Sequence, residues 1–240
     1  MKILVILPGN AGSMYTSEDA QRRADVAKSY SNATTQIDTG FPEESGFGAG
    51  GEGGAAIPMA RNHVAVAERM IRGEKDGYDA CIPFGMIDFG VELARTRCSI
   101  PIVGQAQATY AVAGMMADRW GCIFYNTDDN ARHWRQARDF GVADRIVGFG
   151  GAEMTRQQMK ANRQRLYDNF VAEGERLVKS GADLIVCHGM SMSPVEFTAK
   201  EFADGIGVPV LEGMGCAVAM AEAWVRLGTP YSRIRYPGGR

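Results

Sequence analysis

Long hydrophobic runs, paired cysteines and an excess of charge of either sign are all missing from this sequence. The apolar stretch at residues 3–7, within MKILVILPGN, is too short for a signal peptide's apolar region or a membrane span, and reads as a buried first strand. The five cysteines, Cys81, Cys98, Cys122, Cys187 and Cys216, are odd in number and show no CxxC, CxH or HxxxH spacing. That argues against a disulfide frame and against a zinc site. A net charge of −2 offers no attraction to nucleic acid or to an anionic membrane, and helical spacing puts the run Arg132, Arg135 and Arg138 on a solvated face. A cytoplasmic location is the expectation that follows. A dinucleotide loop is missing as well. Gly46, Gly48 and Gly51 spell GxGxxG, but they follow Gly40-Phe41-Pro42-Glu43-Glu44 rather than a strand, and no Walker lysine comes after them. The glycines of 45–54 forbid a stable helix or strand, so this stretch reads as a mobile loop, either a lid or plain surface.

What is present is ordinary globular material: 240 residues, 45% of them hydrophobic, enough for one large domain or two small ones. Short β-branched runs alternate with longer amphipathic stretches, the pattern of an α/β protein with a mainly parallel sheet. Strands are expected at 2–7, 80–83, 102–103, 122–125, 184–187 and 208–211. One helix starts near Pro58, carries Met59, Val66 and Met70, and stops at Gly73. Another carries Met159, Leu166, Phe170 and Leu177 along one face, with Gly174 weakening its middle.

Two segments repeat each other. Gly77-Tyr-Asp79 leads into an apolar strand and reaches Gly85-Met86; Gly181-Ala-Asp183 leads into another and reaches Gly189-Met190, each glycine six residues after its aspartate. Ser99-Ile-Pro101-Ile-Val lies downstream in the first half and Gly207-Val-Pro209-Val-Leu in the second. The opening strand, running into Pro8-Gly9-Asn10, pairs with 122–125 running into Asn126-Thr127. Three such matches in one order indicate an internal duplication. The expected architecture is therefore two pseudo-symmetric Rossmann-like lobes, 1–115 with about 212–240 and 116–211, each with a mainly parallel four-stranded sheet and flanking helices.

In parallel α/β sheets the crevice lies at the carboxyl ends of the strands. Both Gly-Met turns belong there, which predicts a site in one shared cleft between the lobes. Ser193-Pro194-Val195-Glu196 reads as a capping box opening a helix. Its N–H groups, with those of Gly189, Met190 and Ser191, are candidates to receive an anion, as is the turn Gly85, Met86, Ile87 and Asp88. Facing anion-receptive turns suit a small carboxylate or an enolate-like intermediate. Glycines that merely permit tight turns are the alternative.

With this pattern in place the chain resembles the Asp/Glu/hydantoin racemase superfamily over nearly its full length. The resemblance rests on the strand ending Leu7-Pro8-Gly9-Asn10, on Gly77-Tyr78-Asp79, on Ser99-Ile-Pro-Ile-Val-Gly104, on Gly181-Ala-Asp183-Leu-Ile-Val and on Val208-Pro-Val-Leu-Glu-Gly213. It implies a cofactor-free enzyme in which one thiolate removes the proton α to a carboxylate or carbonyl and an opposite thiol returns one. It also implies homo-oligomers. The two positions where the resemblance places those thiols hold Gly85 and Gly189. Arylmalonate decarboxylases resemble the chain in having glycine at the first position and a tyrosine where Tyr125 falls, but they keep a cysteine at the second.

The nearest replacements for the second thiol are Cys187 and His188. Alternation along a strand puts only one of them on the side of Gly189, Cys187 if the strand stays regular. His188 is the better proton carrier by type, with a structural histidine as its alternative, and a small core thiol is the alternative for Cys187. Asp88 is a base or a helix N-cap. Asn10, Tyr125, Asn126, Thr127, Ser191 and Ser193 are polar residues at strand ends or turns, placed for substrate contact, and Glu212 is a supporting acid. The leading reading is a cofactor-independent isomerase or lyase acting next to a carboxylate or cyclic amide through a carbanion or enolate. A decarboxylase or other non-thiol lyase is one alternative, and a non-catalytic small-anion binding protein another.

Overall fold

The computed structural model describes residues 1–9, 15–44 and 56–238, so Asn10 and the glycine-rich loop at 45–54 lie outside the described residues. The chain forms two compact units, residues 1–105 with 217–240 and residues 106–216. The first contains β1 (Lys2–Ile6), α1 (Ser17–Ser29), β2 (Gln36–Gly40), α2 (Ala56–Lys75), β3 (Ala80–Pro83) and α3 (Val91–Arg95). Then α4 (Gln105–Met116) leads into β4 (Trp120–Phe124), α5 (Asn130–Asp139), β5 (Ile146–Gly151), α6 (Arg156–Ala161), α7 (Arg163–Lys179), β6 (Leu184–Cys187), α8 (Ala199–Ile206) and β7 (Val210–Glu212). A last helix, α9 (Gly213–Leu227), returns the chain to the first unit. None of the helices is long and apolar enough to cross a membrane among the described residues.

The two sheets share one topology. The first is ordered β2-β1-β3 and the second β5-β4-β6-β7, every pairing parallel. Ile102 makes a single parallel bridge to Cys81, at the place that β7 occupies in the second sheet. The first sheet thus has three strands where four were expected. Cys81 donates its N–H to the Pro101 carbonyl and accepts that of Val103, both at 2.9 Å, but the next step of the ladder falls on Pro83, which has no N–H to give the Val103 carbonyl. The repeated Gly-x-Asp is structural. Asp79 accepts the Lys2 N–H at 2.7 Å, and Asp183 accepts those of Asp118 and Arg119 at 2.9 and 3.0 Å. Each aspartate therefore holds the entry of its unit's central strand.

Packing explains where the sequence reading erred. Two strands escaped it, β2 (QIDTG) and β5 (IVGFGG), both edge strands without a regular buried alternation. Gly73 does not stop α2, which continues to Lys75. A Cβ there would lie 2.8 Å from Cys81 Sγ, so the glycine lets the helix settle on the sheet. The helix from Met159 to Leu177 is two helices, split at Asn162, whose side chain accepts the Arg165 N–H and caps α7. Met159, Leu166, Phe170 and Leu177 still enter one core with Ile185 and Cys187.

Ser193 is not a helix cap. Its peptide to Pro194 is cis and its backbone extended (φ −136°, ψ 133°). The capping box sits five residues later, where Thr198 accepts the Glu201 N–H and Glu201 accepts that of Thr198, opening α8.

Candidate active site

The turn after β6 sorts its side chains by strand alternation. Cys187 packs with Leu166, Phe170 and Leu177 on the α7 side of the sheet. His188 points the other way, into a ring of Tyr110, Phe124, His133 and Phe149 with centroids 4.6 to 6.0 Å away. It is fully buried. Its Nε2 lies 2.9 Å from the Tyr110 hydroxyl, and Nδ1 has no hydrogen-bond partner among the described residues. Burial first, then the neighbouring His133, holds the His188 ring well below the ordinary histidine range, while burial and then the Arg132 charge bring His133 down to about 4. Both rings are core groups kept neutral.

Acid lability follows. Folded-state values below the unfolded one mean that the unfolded chain binds protons the native chain refuses, so stability falls as pH drops below about 6.5. Each histidine contributes up to about 1.4 kcal/mol per pH unit in that window, which for His133 ends near 4. Thermal melts at pH 7 and pH 5 should show a clear drop; equal melting temperatures would contradict the neutral pair.

No thiol is poised to ionise. All five cysteines are buried and unpaired with one another. Burial pushes Cys98, Cys187 and Cys216 up to about 12, and Cys81 and Cys122 higher still. Iodoacetamide at neutral pH should leave the native protein unlabelled and modify every cysteine in denaturant. Rapid native labelling at Cys187 would restore a thiol to the chemistry.

Gly189 has a specific neighbour. A Cβ at this position would lie 2.7 Å from both Tyr125 Cε1 and Met192 Cε. The missing side chain's volume is filled by a half-buried phenol ring, which also packs at a tilt against Phe124, with centroids 4.4 Å apart. Ser191 donates its N–H to the Tyr125 hydroxyl at 3.1 Å, while the Met192 and Ser193 N–H groups turn back to the Gly189 carbonyl. Much of the expected anion cradle is therefore spent within the turn itself. Ser193 is fully buried, with no hydrogen-bond partner for its hydroxyl among the described residues, and Met190 is also buried. Asn126 and Thr127 serve their own loop: the Asn126 side chain accepts the Asp128 N–H, and Thr127 donates its N–H to Glu153. Glu212 caps α9, accepting the Met214 and Gly215 N–H groups at 2.7 and 2.6 Å.

In the first unit Gly85 takes φ +116°, a backbone state that side chains rarely adopt, with open space where a Cβ would stand. Its N–H is not open to an anion, since it donates to Gln105 Oε1 at 2.8 Å. Met86 is buried and Ile87 half-buried. Asp88 does not cap α3, whose N-cap is Gly90. Instead its buried carboxyl lies flat on Gly104, where a Cβ would approach Oδ2 to 2.3 Å. Sequence reasoning missed Gln105, Tyr110 and His133, because single residues in apolar or polar helices carry no spacing signal. His63 was missed for the same reason. Its Nδ1 accepts the Gly90 N–H at 3.1 Å, and its ring packs 5.1 Å from Phe89. Among the described residues no group of three or more His, Cys, Asp or Glu is placed to hold a metal ion.

The family model for Asp/Glu/hydantoin racemases matches residues 3–221. The chain belongs to this family. It is 26% identical to a hydantoin racemase of Pseudomonas sp. (strain NS671), over 98% of this chain and 90% of that one. Among solved structures it is similar to allantoin racemase from Pseudomonas fluorescens, with TM-score 0.87, 21% identity, and coverage of 100% of this chain and 97% of the other. Unliganded arylmalonate decarboxylase shares the fold at TM-score 0.60 and 15% identity, covering 93% and 92%. The chain is thus a racemase-family protein.

Proposed function

We propose that this racemase-family protein is a cofactor-independent isomerase or lyase acting next to a carboxylate or cyclic amide, with Tyr125 rather than a thiol moving the proton at the second turn. The carrying observation is the Tyr125 ring against Gly189. The phenol fills the place of the absent side chain, and its hydroxyl is held by the Ser191 N–H. That N–H occupies a lone pair of the oxygen and leaves the phenolic proton to be donated elsewhere. In this reading a base on the other face of the substrate takes the α-proton, and the electron pair of that bond passes to the adjacent carbonyl as an enolate. The phenol then gives its proton to that carbon. The named hydantoin and allantoin racemases suggest a cyclic amide as substrate, and the decarboxylase suggests a carboxylate.

A decarboxylase is the second reading, favoured by the glycine at both thiol positions, since it needs a single proton donor. There the carbon–carboxylate bond breaks, carbon dioxide leaves, and the enolate takes its proton from Tyr125. Incubation with 5-substituted hydantoins, allantoin and arylmalonates in D2O separates the two. Deuterium incorporation at the α-carbon supports the isomerase, and carbon dioxide release with deuterated product supports the lyase. Binding across the panel without either outcome would make the chain a small-anion binding protein instead.

A further inference from the structure

We propose that α5 is an acid-released helix: it stays seated on the second unit while His133 is neutral, and protonation of that ring lets it leave ahead of the rest of the fold. The inference goes beyond the isomerase or lyase reading and stands whether or not Tyr125 moves a proton. It begins with how little holds the helix. α7 buries Leu166, Phe170 and Leu177, whereas α5 buries only His133 and Ala137. An alanine methyl adds little to burial, so the main anchor of α5 is an imidazole. Half-buried Trp134 adds an edge contact with Phe149 at 5.0 Å, and the Asn130 side chain donates to the Phe149 carbonyl at 3.2 Å.

That imidazole sits where a charge has no support. His133 meets His188 edge-on, with centroids 4.6 Å apart, and Phe124 and Phe149 close around it at 4.6 and 5.5 Å. His133 Nε2 and His188 Nδ1 both lack a hydrogen-bond partner among the described residues, so an imidazolium here would hold an N–H with no acceptor. Neither ring is paired with a carboxylate among the described residues. α4 contributes Tyr110, whose hydroxyl lies 2.9 Å from His188 Nε2 and 3.9 Å from Cys122 Sγ of β4, and β5 contributes Phe149. The turn at Ala143–Arg145 brings Arg145, which lies over Trp120 and binds carbonyls at the end of α4, and an exposed Asp144. On α5 itself Arg132 adds positive charge and is paired with Asp129, while Arg135, Arg138 and Asp139 are exposed. A protonated ring is hydrated only by leaving. His188 cannot leave easily, since it follows β6 directly and its N–H is bonded to the Ile123 carbonyl at 2.7 Å. His133 leaves with its helix, and its departure uncovers Phe124, the ring against which Tyr125 packs.

The test is amide hydrogen exchange, read by mass spectrometry on the full chain at pH 7 and pH 5 and corrected for the intrinsic rate. A released ring titrates at about 6.5 and the seated one at about 4, so opening of α5 should become about 20-fold more favourable between those pH values. At pH 5 the α5 amides should exchange well before those of α7. His133→Phe keeps an aromatic ring in the layer, and His133→Gln keeps a polar side chain; neither titrates, and in both the 20-fold response should fall toward one. Equal protection of α5 and α7 at pH 5 in the parent would show that the helix opens only with the whole fold, and would overturn the proposal. A pH response of α5 that persists in both variants would overturn it too. The parent comparison needs neither variant, so a variant that fails to fold leaves it standing.

Discussion

Tyr125→Phe is expected to lower turnover by about 10²- to 10⁴-fold, the range over which positioned proton donors act, while barely changing stability. The ring that fills the space at Gly189 is kept, so the packing of Met192 and Phe124 should persist. What is lost is one hydroxyl and its bond from the Ser191 N–H, worth about 1 kcal/mol in a half-buried setting. The signature is thus a fall in kcat with a melting temperature close to that of the parent. If turnover persists in Tyr125→Phe, the proton comes from elsewhere. Gly189→Cys makes a useful companion. The new side chain would collide with the Tyr125 ring, and overpacking of this kind costs about 1–3 kcal/mol, so a thiol placed there should destabilise the turn.

The largest effect on stability is expected from Gly90→Ala. The native φ of +70° costs a side-chain-bearing residue about 1–2 kcal/mol. The new Cβ would also press on α2 backbone atoms at 2.5 and 2.7 Å, which cannot rotate away as a side chain could, adding about 1–3 kcal/mol. Urea unfolding should show a loss of about 2–5 kcal/mol with an unchanged slope. A loss below about 1 kcal/mol would mean that α2 and the loop can part.

Much of this fold was legible because its signals are local and repeated. The two Gly-x-Asp entries, the apolar strands after them and the Gly-Met turns stand at matched places in two sheets of the same strand order. Edge strands were not legible: Ile37 is the one buried residue of β2, and β5 is rich in glycine. Ser193-Pro194 has the composition of a helix start, and nothing local reveals that the helix begins at Thr198 instead. The site was harder still. Strand alternation correctly put His188 opposite Cys187. The aromatic layer that buries His188 comes from α4, α5, β4 and β5, far apart in sequence. The contact of Tyr125 with Gly189 and the bond from Gly90 to His63 are likewise tertiary facts, with no spacing to announce them.

The central claim is that a racemase-family chain has exchanged its thiols for other proton carriers, with Tyr125 foremost. The most direct measurement is α-proton exchange in D2O by Cys187→Ala and Tyr125→Phe side by side, on whichever panel substrate the parent protein turns over. The account predicts exchange near the parent rate in Cys187→Ala and a loss of two orders of magnitude or more, roughly, in Tyr125→Phe. Exchange abolished in Cys187→Ala and preserved in Tyr125→Phe would contradict it.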